Sequence, residues 1–286
     1  MIKRGNIWLL ILFGFVQNSL FSQVIDQKAA RLESTLRKVE LFINQEDSLD
    51  RNEIIDSFTS MIDRLEATRL KEPNDHSFLS KIFFKTHRKR LNRYSLYSDF
   101  GDTMLSGKYG CLSGTITYAL ILTHFGYKNE AVELSNHVYL KVYYGNTSIL
   151  LESTLASSGF LDRNQDINDA LERYSMGNSS GEMVAIASGN NGVLNSKIQN
   201  TIGLTELAGL QRYNRAIENH KNLKLISSLN YAIEADQFYP SLRMKYLMQL
   251  VINEILFSGE LSKKAKQSAL NHYISHVREN KISQTK

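Results

Sequence analysis

The sequence predicts an α+β fold: a small antiparallel sheet with one packed helix, flanked by further helices on both sides. Three observations carry this. Apolar residues recur at helical spacing from residue 26 to Tyr97, glycines and alternating apolar segments replace them between residues 101 and 160, and helical spacing returns from Thr201 onward. Only 2 prolines occur in 286 residues, so long helices can run uninterrupted.

Residues 24–100 read as an N-terminal helical region. Leu32, Leu36 and Val39 mark one helix, and Ile54, Ile55, Phe58, Ile62 and Leu65 mark a second, with a polar break from Gln45 to Arg51. Lys71 to His76 is a turn, and Phe78 to Tyr97 resumes a helical pattern that ends before Gly101. Residues 101–162 form the expected core of the fold. Within them Cys111 to His124 is a helix closed by Gly126, Ala131 to Leu134 is a strand, and Val138 to Tyr144 pairs with Ser148 to Ser153 in a hairpin around Gly145-Asn146. Residues 163–200, rich in Gly, Ser and Asn, are expected as a flexible loop. Residues 201–286 return to helix, with Leu204, Leu207, Leu210, Tyr213 and Ile217 on one face and Leu247, Leu250, Val251 and Ile255 later. This part is expected to cap the preceding core, because fewer than three helical repeats do not make a stable solenoid.

The first residues read as a secretory signal, residues 1–23: Lys3 and Arg4 precede an apolar run from Ile7 to Val16, which is too short to cross a bilayer. Retention as a signal anchor is the alternative. The expected mature protein is therefore exported, periplasmic or extracellular, with no stable membrane insertion once the signal is removed. Loss of Lys3 and Arg4 takes the balance from 34 basic against 29 acidic residues to 32 against 29, a mild +3. A dedicated nucleic-acid binder carries a concentrated basic footprint, and this charge excludes one across the whole chain. Locally, Lys81, Lys85, Arg88, Lys89, Arg90 and Arg93 interleave with Phe83 and Phe84 in what reads as a single helix, either a solvated face or the contact for an anionic partner.

One cysteine cannot form an internal disulfide, so in an exported chain Cys111 calls for another role. It follows Gly110 directly at the start of an apolar helix, where unpaired N–H groups and partial positive charge favour a thiolate and can stabilise an oxyanion. A nucleophilic thiolate needs a base and a group that orients the base. His137, 26 residues after Cys111, and Glu152, 15 residues further on, are the candidates. If Gly145-Asn146 makes a two-residue turn, Tyr144 faces Thr147, Glu152 faces Tyr139, and His137 and Glu152 share a face within reach of each other. A three-residue turn separates them. His124 lies on the same helix as Cys111 and points elsewhere, and Gly110 to Gly114 lacks the Gly-x-Ser-x-Gly spacing of a serine nucleophile. No paired His or Cys spacing supports a metal site, and no cofactor is expected.

The stretch Tyr109 to Phe160 resembles the transglutaminase-like branch of the papain-type cysteine enzymes, whose pattern is a Gly-Cys at a helix start, a His with an aromatic two residues later on a strand, and Asp-Pro-Thr on the next strand. Cys111, His137, Tyr139, Glu152 and Thr154 match that pattern, while Glu152 stands in place of Asp and Ser153 in place of Pro. The resemblance covers under a fifth of the chain. The helical C-terminal part, with Ser228, Ala235 and Pro240, is similar to the second half of a tetratricopeptide repeat, and a subgroup of the superfamily carries such a tail. The resemblance implies a papain-like core acting on an amide or ester bond of a protein or peptide substrate through a Cys-His-Glu triad, and hydrolysis is slightly preferred over transfer because no feature of the sequence would exclude water. A non-catalytic binding module that keeps the fold is the alternative.

Overall fold

The computed structural model describes residues 26–44, 50–177 and 199–283, so the expected signal segment lies outside the described residues. Helix α1 spans residues 26–39 and tightens into a 3-10 turn at Glu40–Phe42, and α2 follows at Arg51–Arg69. Asn74 opens α3 (Asp75–Arg90) by accepting a hydrogen bond from the Ser77 N–H at 2.9 Å. The helical pattern expected to run to Tyr97 stops at Leu91. Beyond it the N–H groups of Asn92 and Arg93 bond to the Gly107 carbonyl rather than back along the helix. Arg93 therefore leaves the basic helix and sits in β1 (Arg93–Tyr94), which pairs in parallel with β2 (Lys108–Tyr109).

Between these strands lies a helix the periodicity did not reveal, α4 (Phe100–Ser106). Asp99 and Asp102 exchange side-chain-to-backbone hydrogen bonds at its start, a capping box. Then α5 (Cys111–His124) begins at Gly110 and matches its expected bounds.

A five-stranded antiparallel sheet of order β6-β5-β4-β3-β7 follows, formed by β3 (Lys128–Leu134), β4 (Val138–Tyr144), β5 (Thr147–Leu151), β6 (Phe160–Leu161) and β7 (Gln199–Ile202). Tyr144 pairs with Thr147 and Leu140 with Leu151, the register of a two-residue turn, and Gly145 takes φ +53°, a conformation open to glycine. One sheet face carries Val138, Leu140, Val142, Ile149 and Leu151 into the main core with α5. The other presents Leu134, Tyr139, Leu150 and Leu161.

Helix α6 (Asn164–Gly177) covers that second face and replaces part of the loop expected over residues 163–200, as β7 does at the other end. Ile167 and Ala170, three residues apart, give this polar-looking segment a narrow apolar stripe that packs on the sheet. Residues 178–198 lie outside the described residues.

The chain ends in α7 (Leu204–Lys221), α8 (Leu225–Phe238), α9 (Leu242–Phe257) and α10 (Lys263–Ser283). These helices share one hydrophobic cluster with α2 to α5 and the sheet, running from Val39 to Ala269. Polar contacts reinforce the junction. Gln211, 1% exposed, accepts from the Phe100 N–H and donates to the Phe42 carbonyl, while Arg215 bonds the buried Asp99 carboxylate at 2.5 and 3.0 Å. The architecture is therefore α+β, with helices before and after a small sheet. Among the described residues no helix is long and apolar enough to cross a membrane.

Candidate functional site

Cys111 occupies the first position of α5, half-buried, directly after Gly110. Ser113, at the third helical position, accepts the Gly110 N–H through its hydroxyl at 3.0 Å and so fixes how the chain enters the helix. Gly114 sits one turn in. A Cβ there would stand 2.5 Å from the Ser153 Cβ, so only glycine lets the first turn of α5 lie this close to the segment that carries Glu152. Ser153, fully buried, seals that contact by donating to the Cys111 carbonyl at 3.2 Å.

His137 follows the Ser135-Asn136 turn between β3 and β4, where the Leu134 N–H reaches the His137 carbonyl at 2.8 Å. Glu152 continues the line of β5, its carboxylate 1% exposed. The hairpin register brings the two together, with His137 Nε2 to Glu152 Oε2 at 2.6 Å. The other oxygen, Oε1, accepts from both the N–H (2.9 Å) and the hydroxyl (2.6 Å) of Thr154, which fixes the carboxylate beside His137. The imidazole and the Cys111 thiol line the same cavity, and their interaction acts to raise the His137 pKa.

The electrostatics follow from this geometry. Burial works against a charged imidazole, but hydrogen bonds to Cys111 and Glu152, together with their negative charges, outweigh it and push the His137 pKa up to about 10. Three phenols ring the group. Burial, followed by the nearby Glu152 charge, pushes Tyr139 up to about 12, and burial raises Tyr109 and Tyr94 with contributions from Glu152 and, for Tyr94, Cys111. These phenols stay neutral. Among the described residues no group of three or more His, Cys, Asp or Glu is arranged to hold a metal ion.

All three sequence-derived candidates thus meet in one place, along with Tyr139 and Thr154. His124 does not join them. It is buried against α1 and α2, bonded to the Thr35 hydroxyl and to Glu66 Oε1, each at 3.0 Å, and burial lowers its pKa.

Some contributing residues were not found from the sequence. His87, on α3, bonds through Nε2 to the Ser153 carbonyl at 3.1 Å and braces the acidic loop from behind, and nothing in the sequence pairs positions 66 residues apart. A cavity of about 50 Å³ opens over Cys111 and His137. Its far wall comes from Leu210 and Asn214 on α7 and Arg243 on α9. Arg243 is held by the buried Glu133 at 3.2 Å, and Glu133 also accepts from the Tyr239 hydroxyl at 2.7 Å. A signal for Glu133 was present: strand alternation puts it on the same face as Ala131, which marks a buried charge in need of a partner.

Comparison with family models, with curated proteins and with solved structures finds no match to this chain.

Proposed function

We propose that this chain is an exported, transglutaminase-like thiol enzyme with a papain-like core. It acts on an amide or ester bond of a protein or peptide substrate, with Cys111 as nucleophile, His137 as general acid and base, and Glu152 as the residue that positions His137. The observation that carries this reading is the continuous series of contacts from Thr154 through Glu152 and His137 to Cys111, at the start of a helix.

The chemistry runs in two balanced steps. The Cys111 sulfur forms a bond to the acyl carbon, and N–H groups of the first turn of α5 stabilise the oxyanion. His137 delivers a proton to the leaving amine or alcohol as the C–N or C–O bond breaks, which leaves a thioester. In the second step His137 takes a proton from water, the resulting hydroxide bonds to the acyl carbon, and the C–S bond breaks, so the acid departs and the Cys111 thiolate is restored beside protonated His137. Cys111 remains partly open to solvent, which favours water over a second amine as the acceptor.

The test is turnover by the purified protein on peptide, ester and amine-donor panels. Cys111→Ala abolishes activity, and Glu152→Gln lowers it by roughly 10² to 10⁴ while the protein stays folded. Absence of turnover in wild type, with both variants binding a partner as wild type does, would favour a binding module instead. Export is tested by mass spectrometry of protein from its host, which should begin shortly after residue 23. An intact Met1 would overturn it.

A further inference from the structure

Helices α2 and α3 part to leave a cavity of about 280 Å³. Its floor is apolar, formed by Met61 and Leu65, both buried in the main core. Its walls are cationic: Arg64 comes from α2, and Lys85, Arg88, Lys89 and Arg90 come from the last turns of α3. No acidic side chain lines it, and none of these five cations has an ion-pair partner among the described residues. Arg90 is tied to the Met104 and Ser57 carbonyls and Lys85 to the Thr68 hydroxyl, so part of the positive charge is fixed in place by the fold. Thr86 also lines the cavity, and its buried hydroxyl has no hydrogen-bond partner among the described residues.

Arg64, Arg88 and Lys89 are exposed and Lys85 and Arg90 half-buried, so the cavity carries a positive potential that an anion would offset. We infer that the cavity between α2 and α3 is a binding site for a small phosphate-bearing ligand, held by Arg64, Lys85, Arg88, Lys89 and Arg90. Guanidinium forks match the paired oxygens of a phosphate, and ammonium groups add point charge, so the mixture of Arg and Lys suits a group carrying two or more negative charges. Its volume is at the small end for ligand pockets, which fits a compact phosphate ester and excludes a long polyanion from entering whole. Burial, with the neighbouring Arg64 charge, lowers the Arg90 pKa, consistent with a cluster that lacks its counter-charge. The basic run that is visible in the sequence is thereby divided: Lys81 and Arg93 lie outside the cavity, and Arg64 joins it from another helix.

Isothermal titration of the full-length protein with inorganic pyrophosphate tests this site. Arg64 and Lys89 are exposed and make no contact that holds α2 to α3, so an Arg64→Gln/Lys89→Gln variant keeps its melting temperature and weakens binding at least tenfold, about that expected for losing charge-assisted hydrogen bonds. Lys81→Gln, on the same helix outside the cavity, changes binding by less than about twofold. Flotation with phosphatidylcholine vesicles, with and without phosphatidylglycerol, separates the sources. Binding to pyrophosphate alone identifies a free phosphate ester, whereas vesicle binding lost in the double variant identifies a lipid headgroup. No binding of either probe at millimolar phosphate, or binding weakened equally by Lys81→Gln, would overturn the site.

Discussion

Burial alone would leave the His137 ring neutral at pH 7, because removing an imidazolium from water lowers its pKa. Contacts with Cys111 and Glu152 reverse that and bring the pKa to about 10 against an ordinary 6.5. The folded value lies above the unfolded one, so the stability this ring contributes is complete below pH 6.5 and is lost as pH rises through about 10. In the proposed mechanism the charged ring offsets the negative charge of the attacking thiolate. Iodoacetamide should therefore label Cys111 at pH 6 at least tenfold faster in wild type than in His137→Gln. Turnover should fall on the alkaline side near pH 10, where His137 loses the proton it delivers to the leaving group. Equal labelling rates in the two proteins would remove the Cys111–His137 pair from the mechanism. These three side chains were legible because each is announced locally: a glycine before a cysteine at a helix start, and two positions flanking the hairpin strands, just before β4 and just after β5, related by the length of one turn. Ser153 was legible only as a substitution for proline. Its hydroxyl on the Cys111 carbonyl and its own carbonyl on His87 belong to packing, which residue identity does not encode.

The contact of α5 with the strand end is the element-scale feature on which the site depends. Gly114 allows it, and alanine at that position would drive a Cβ to within 2.5 Å of the Ser153 Cβ and 2.6 Å of its Oγ. One or the other must move. Overpacking of this kind costs about 1–3 kcal/mol, and here the displacement also carries Glu152 away from His137. Gly114→Ala should lower the melting temperature and slow Cys111 labelling, and adding Ser153→Gly, which clears the space, should restore part of both. Melting unchanged by Gly114→Ala would show that the two segments have room to separate. At this scale most elements were readable. The α5 bounds and the hairpin register follow from a 3.6-residue period and a two-residue turn, both local properties. Helix α4 was missed because, at seven residues, it is too short for periodicity, although Asp99 and Asp102 spell its capping box. Helix α6 was missed because its composition is that of a loop, and its narrow apolar stripe acquires meaning only against the second face of the sheet.

Across the whole molecule, the helices before the sheet and those after it are closed over one core, and Gln211 bridges them at its centre. Alanine there leaves the Phe100 N–H and the Phe42 carbonyl buried without partners, at a cost of about 2–4 kcal/mol. The core is continuous from Val39 to Ala269, so Gln211→Ala should lower the midpoint of a single calorimetric transition. A second, separate transition would mean that the C-terminal helices unfold on their own. The same closure completes the cleft over Cys111, since Arg243 and Asn214 reach it only once α7 and α9 are docked.

By itself the sequence determined the α+β class and the start of α5 at Cys111, and it narrowed the hairpin to two registers, of which the two-residue turn brings Glu152 to His137. Each of these depends on interactions within a few residues or across one tight turn, where spacing along the chain is spacing in space. Only the tertiary structure decided what surrounds them: His87 behind Ser153, Arg243 on Glu133 in the cleft wall, and Arg64 beside the basic end of α3. Those neighbours are 66, 110 and more than 20 positions apart, and the angles at which helices pack on a sheet and on one another are set by the fit of many side chains at once.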